Sequence, residues 1–80
     1  MFSKELQHAG HRRVFEVSSL LSNGWEVRVV EDSEVVRRAC YSDWHRVERA
    51  INAMEREMSQ LLAVGWRVTE GTSAVQSTNL

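Results

Sequence analysis

The pattern Leu-Leu-x-x-Gly-Trp-x-Val occurs twice in this 80-residue chain, at residues 20–27 and again at residues 61–68. The two glycines, Gly24 and Gly65, are 41 positions apart. A glycine after an apolar helical stripe can take the left-handed conformation that ends a helix, and alternating apolar residues after it indicate a strand. The repeat therefore predicts two copies of one unit, in which a helix ends at glycine and tryptophan begins a strand.

The second unit has the clearer helical signal, over residues 43–63. Apolar residues recur there every three or four positions, so they share one stripe of a helix. Ser42 or Asp43 can cap the first turn, and Gly65 can close the last. Trp66 and Val68 then alternate with polar residues and predict a strand. A turn at residues 71–72 and a short last strand from residue 73, fraying over residues 74–80, would complete the unit. The stripe consists of Trp44, Val47, Ile51, Met54, Met58 and Leu61.

The first unit is expected to follow the same plan. When the two glycines are aligned, Leu6 falls on Val47 and Leu20-Leu21 falls on Leu61-Leu62, which favours a first helix ending near Ser22. That helix is less regular than the second, because an internal glycine at position 10 costs about 1 kcal/mol relative to alanine and an arginine occupies an apolar position at residue 13. A break near residue 10, or a strand over residues 14–17, is the alternative.

The stretch after Gly24 predicts a β-hairpin with strands over residues 25–30 and 35–41. Pairing Val30 with Val35 sets the register, and Arg28 then lies opposite Arg37 on the outer face. The face expected to be buried carries Trp25, Val27, Val29, Val36, Arg38 and Cys40, and the outer face carries Glu26, Arg28, Val30, Val35, Arg37 and Ala39.

These patterns predict one α+β domain over residues 1–80, with the element order α-β-β-α-β and an optional last strand. The pseudo-repeats would cover about residues 3–41 and 44–78. Both helices should lie on one face of an antiparallel sheet in a two-layer sandwich, because each helix offers one apolar stripe and the sheet offers one apolar face.

The stretch LLSNGWEVRVVE, residues 20–31, resembles the helix-to-strand junction of small bacterial and phage domains of unknown function. It is also similar to the junction of small mRNA-interferase toxins, where the following strand leads into a Gly-Ser-His signature with the catalytic histidine. Here the matching turn is Asp32-Ser33-Glu34, without histidine, which removes the reason to expect RNA cleavage. The resemblance implies a fold element and no activity.

Composition excludes several classes of protein. A net charge of −1 argues against a dedicated nucleic-acid binder. The sequence has neither a signal peptide nor an apolar run near the ~20 residues that span a membrane, so the cytoplasm is the expected compartment. A single cysteine, Cys40, cannot form an internal disulfide, and we expect it to be a small buried packing residue.

Few residues indicate chemistry. His8 and His11 are three positions apart and could bind a metal or a phosphate, but two ligands make an incomplete zinc site and a solvated helix face is the simpler interpretation. Cys40 and His45 should point in different directions, which disfavours a nucleophilic pair. We therefore predict no catalytic, cofactor or metal site, and a protein that is not an enzyme.

Arg28, Arg37 and Arg67 are the candidate partner-binding or anion-binding residues, because the predicted outer sheet face brings them together. A chain this short buries little surface, and open sheet edges favour association with a second copy. We expect a non-catalytic protein–protein interaction module that forms homodimers. The alternative is a nucleic-acid-binding accessory protein that uses the arginines of the outer face.

Overall fold

A computed structural model describes residues 2–69, which form one antiparallel five-stranded sheet and one helix. The strand order is β4-β3-β2-β1-β5, and the helix packs on one face of the sheet. The predicted turn at residues 71–72 and the predicted last strand lie outside the described residues. The elements are β1 (Phe2–His8), β2 (His11–Ser19), β3 (Trp25–Glu31), β4 (Glu34–Tyr41), helix α1 (Trp44–Ala63) and β5 (Arg67–Val68).

The prediction of two helices is wrong, because the first half of the chain forms a β-hairpin. Strands β1 and β2 pair from Phe2 with Val17 to His8 with His11. The predicted alternative, a strand over residues 14–17, is part of β2. Ala9 and Gly10 connect the strands with φ angles of 51° and 83°, and two positive φ angles match the twist of a tight hairpin. Gly10 is therefore a turn residue and not a defect within a helix.

The prediction of a duplicated helix-Gly-Trp-strand unit is also wrong. Residues 20–24 form the loop between β2 and β3, in which the Leu21 side chain is fully exposed. The second copy of the pattern does end a helix. What the two copies share is smaller: Gly24 and Gly65 both have positive φ, and a tryptophan follows each.

The prediction for the second helix is confirmed. Asp43 is its N-cap, and the carboxylate accepts a hydrogen bond of 3.0 Å from the His45 backbone N–H. At the other end, the backbone N–H groups of residues 64–66 donate to the carbonyls of Leu61 and Leu62, and Gly65 has a φ of 112°. The predicted stripe faces the sheet, with Val47, Met54 and Met58 buried.

The predicted pairing of Val30 with Val35 is confirmed, but the predicted faces of β4 are wrong beyond it. A bulge between Val29 and Val30 makes Val29 pair with Arg37, so that Val36 is the extra residue. One extra residue reverses the alternation of every residue after it. As a result Arg28 pairs with Arg38, whereas Ala39 and Tyr41 join Val27 and Trp25 on the helix side of the sheet.

The core lies between the helix and the sheet. Partly buried aromatic rings border it: Trp25 and Trp66 both pack against the core, and Trp25 contacts Trp44 edge-on with ring centroids 5.1 Å apart. The opposite face of the sheet has no covering layer among residues 2–69. The buried residues of the core are Leu6, Phe15, Val17, Val27, Val29, Val47, Met54 and Met58.

Candidate functional site

Strand β4 forms one edge of the sheet. It pairs with β3 on one side, and no strand of residues 2–69 pairs with its other side. Val35 and Val36 on this strand are each 50% exposed. Backbone N–H and C=O groups on an open edge can pair with a further strand, and exposed valines beside them provide apolar contact area. The β4 edge is therefore a surface suited to strand addition.

An apolar groove runs beside this edge, between β4 and α1. It encloses about 330 Å³. Arg37 and Glu57 border it. Its apolar lining includes Val27, Val29, Ala39, Tyr41, Ala50 and Met54.

Both arginines of β4 are paired with carboxylates. Arg37 Nη2 lies 2.6 Å from Glu57 Oε1 on the helix, and Arg38 Nε lies 2.7 Å from Glu26 Oε2 on the neighbouring strand. A second strand that approaches this edge therefore meets charges that are already compensated. The exposed valines and the groove then dominate the character of the surface.

The structure does not bring Arg28, Arg37 and Arg67 together. Arg28 lies on the outer face, where Glu16 Oε1 accepts hydrogen bonds from its Nε at 3.0 Å and its Nη2 at 2.7 Å. These bonds raise the pKa of Arg28. Arg37 lies on the helix side, and Arg67 lies on β5 at the opposite edge of the sheet. The bulge moved Arg37 to the other face, and β1 and β2 separate Arg28 from Arg67.

A second cluster lies at the turn end of the sheet. The β1–β2 turn, the β3–β4 turn and the start of β5 surround an open cleft of about 620 Å³. His8 and His11 pair across the β1–β2 hairpin, so neither lies on a helix face as predicted. In residues 2–69 no group of three or more histidine, cysteine or acidic side chains is arranged to hold a metal ion. The charged or titratable residues of the cleft are His8, His11, Arg12, Asp32 and Arg67.

Asp32 links the β3–β4 turn to the β1–β2 hairpin by hydrogen bonds. Its Oδ2 lies 2.9 Å from His11 Nδ1, and its Oδ1 accepts a hydrogen bond of 2.9 Å from the Arg12 backbone N–H. The Asp32 backbone N–H donates in return to the Arg12 carbonyl at 2.8 Å. The hydrogen bond with Asp32, together with its charge, raises the pKa of His11, and the hydrogen bond with His11 is the main cause of a lowered pKa at Asp32.

This pair predicts a pH-dependent contribution to stability. Because the pKa of His11 is raised, the pair stabilises the fold fully at pH values below 6.5, the ordinary pKa of this group. This stabilisation is lost as the pH rises through the raised pKa. Because the pKa of Asp32 is lowered, its carboxylate stabilises the fold fully at pH values above 3.8, the ordinary pKa of this group. This stabilisation is lost as the pH falls through the lowered pKa. We expect Asp32→Asn to lower the urea midpoint more at pH 5.5 than at pH 8.5.

Glu34→Gln is the matched control, because Glu34 is exposed beside the same turn. Its urea midpoint should differ from that of the original chain by the same amount at both pH values. An equal loss at pH 5.5 and 8.5 for Asp32→Asn would contradict the assigned ion pair. The effect is small in either case, because both groups are exposed to solvent.

The structure also separates Cys40 from His45. Cys40 is exposed on β4, opposite Glu26 on the outer face, so the expectation that it is buried is wrong. His45 lies in the first turn of α1, which packs on the other face.

Sequence reasoning missed the groove and the cleft, because each is built from segments that are distant in the chain. The two-residue turn signals at residues 9–10 and 32–33 were the local indication of where the cleft lies.

The segment that carries the resemblance, residues 20–31, is loop followed by strand in this chain, whereas the resemblance implied helix followed by strand. Among residues 2–69, no helix is both long enough and apolar enough to cross a membrane. Comparison with known proteins gives no match to this chain, whether among family models, curated proteins or solved structures.

Proposed function

We propose that this chain is a small non-catalytic interaction module that self-associates through β4. The observation that carries the proposal is the combination of an open strand edge with an apolar groove beside it. Pairing β4 with β4 of a second copy joins the two sheets into one of ten strands. An antiparallel edge suits this arrangement, because a two-fold axis places each donor of one copy opposite an acceptor of the other.

Self-association would bury apolar surface that the single chain exposes to water. Only eight side chains form the core of the described residues, and a domain of this size leaves much apolar surface in water. A second copy would cover Val35, Val36 and the groove, and each Å² of apolar surface removed from water contributes about 25 cal/mol. Arg37 and Arg38 do not oppose this contact, because Glu57 and Glu26 compensate their charges.

Light scattering coupled to size exclusion tests this proposal. At micromolar concentration the original chain should have twice the monomer mass. Val36→Lys should shift it to the monomer, because a lysine on an edge strand opposes strand pairing. Val64→Lys is the control: Val64 is exposed just after α1, so this variant should remain a dimer. A monomeric original chain at its highest soluble concentration would refute the proposal, and so would a Val36→Lys variant that dimerises as tightly.

The alternative proposal is nucleic-acid binding through the arginines of the outer face. It has less support, because these arginines are engaged by neighbouring carboxylates. Arg28 lies 2.7 Å from Glu16, Arg38 lies 2.7 Å from Glu26, and Arg12 Nε lies 3.5 Å from Glu5 Oε2. A phosphate backbone on this face would have to compete with three glutamates.

A further inference from the structure

We propose that the cleft at the turn end of the sheet is a binding site for a phosphate monoester of a small molecule, such as a nucleotide. This site is separate from the β4 edge and does not depend on self-association. Two chain segments supply its positive groups: the β1–β2 hairpin supplies His8, His11 and Arg12, and β5 supplies Arg67.

Arg67 is the residue on which the proposal mainly depends. Within residues 2–69 its guanidinium makes no ion pair or hydrogen bond, in contrast to the outer-face arginines. Its position is nevertheless fixed, because the backbone of Arg67 pairs with Gln7 in the sheet. The planar guanidinium fork matches two oxygens of a phosphate group. An arginine with a fixed backbone and an available head group is suited to anion binding.

His11 provides a second contact. Asp32 engages Nδ1 at 2.9 Å, which leaves Nε2 available. When the ring is protonated, Nε2–H becomes a donor for an anion. The charged or titratable groups around His11 are Asp32 and Glu31 from the β3–β4 turn region, Arg12 beside it, and His8, its partner across the hairpin; Arg67 lines the same cleft.

The balance of charge favours an anion. Among residues 2–69, Asp32 is the acidic residue that lines the cleft, and its two oxygens already contact His11 Nδ1 and the Arg12 backbone N–H. Arg67 is positive at every physiological pH, and protonation of His11 adds a second positive charge, whereas Glu5 compensates the charge of Arg12. A doubly negative group therefore gains more in this cleft than a singly negative one.

The size and the rigidity of the cleft also suit a small phosphorylated molecule. A volume of about 620 Å³ exceeds that of a phosphate ion and lies within the range of small-molecule sites. The walls are held in place by the two tight turns and by the bonds of Asp32 to His11 and Arg12.

The test is a titration of the full chain with inorganic phosphate and with AMP, followed by amide NMR shifts, with adenosine as the uncharged control. Phosphate and AMP should shift the amides of residues 8–12, 32–33 and 65–67 in a saturable way, and adenosine should not. Arg67→Gln should weaken binding roughly ten-fold, as expected for one charge-assisted contact. Arg49→Gln is the matched control, because Arg49 is exposed on the helix, and it should bind like the original chain.

The pH dependence of binding is measured with sulfate, because sulfate stays doubly negative over this pH range. Any change in affinity then comes from the protein and not from a change in the charge of the ligand. Its affinity should fall roughly ten-fold between pH 6 and pH 8.5 as His11 loses its proton. Non-saturable shifts spread over the surface arginines would overturn the proposal, and so would equal losses in Arg67→Gln and Arg49→Gln. Binding restricted to an oligonucleotide that lacks a terminal phosphate would also overturn it, in favour of a phosphodiester ligand.

Discussion

Phe15→Ala is expected to remove a large share of the free energy of unfolding of this chain. The Phe15 side chain has no solvent exposure at the centre of the sheet, where β2 packs beneath the helix. Truncation of a buried phenylalanine costs about 3–5 kcal/mol through lost burial and the cavity left behind. A domain of this size has a total stability of roughly 4–12 kcal/mol, at about 0.05–0.15 kcal/mol per residue. Urea unfolding followed by tryptophan fluorescence measures the loss.

Two controls sharpen this prediction. Phe15→Leu keeps much of the buried volume and should cost clearly less than Phe15→Ala. Leu21→Ala should change the free energy of unfolding by less than about 0.5 kcal/mol, because Leu21 is fully exposed in the loop before β3. A first helix that ended in a buried Leu20-Leu21 pair would give the reverse order. A large loss for Leu21→Ala together with a small loss for Phe15→Ala would therefore contradict the hairpin.

Gly24→Ala is expected to cause the second large loss of stability. Gly24 has a φ of 129°, which residues with a side chain rarely adopt, and such strain costs roughly 1–3 kcal/mol. A Cβ at this position would also lie 2.8 Å from the Tyr41 backbone oxygen. Neither backbone segment can move freely, because Trp25 pairs with Tyr41 in the sheet. Thermal unfolding should show a clear decrease in Tm.

Gly10→Ala is the matched control for this variant. Gly10 also has a positive φ, of 83°, but an added Cβ would meet nothing within 4 Å. This substitution therefore introduces backbone strain without a collision, and it should cost less than Gly24→Ala. Equal losses in the two variants would show that the close approach of Gly24 to Tyr41 does not constrain the fold.

Local patterns predicted part of this architecture. The apolar stripe of the helix, its Asp43 cap and its end before Gly65 were all predictable, because they depend on residues within one or two turns of each other. The pairing of Val30 with Val35 was predictable for the same reason. The bulge beside that pair was not. An extra residue in one strand leaves no signal in the local alternation of apolar and polar residues.

The first half of the chain shows why a sequence repeat can predict the wrong secondary structure. Arg13 looked misplaced on a helix, yet in the sheet it lies on the helix side, where Glu57 Oε2 lies 3.0 Å from its Nη1 and its guanidinium lies over the Trp66 ring. Glu57 lies 44 residues away in the chain. No spacing rule reveals such a contact, and without it an arginine on that face would be costly. The candidate sites depend in the same way on contacts between distant segments.

The sequence by itself determined the elements whose stability is local: the helix over Trp44–Ala63 and the β3–β4 hairpin with its turn. The tertiary structure decided whether residues 2–19 became helix or hairpin, which face each β4 residue took and which charged groups met. The physical reason is that a short apolar segment can satisfy its backbone hydrogen bonds as either helix or strand. The choice then depends on which form buries its apolar side chains against the rest of the chain.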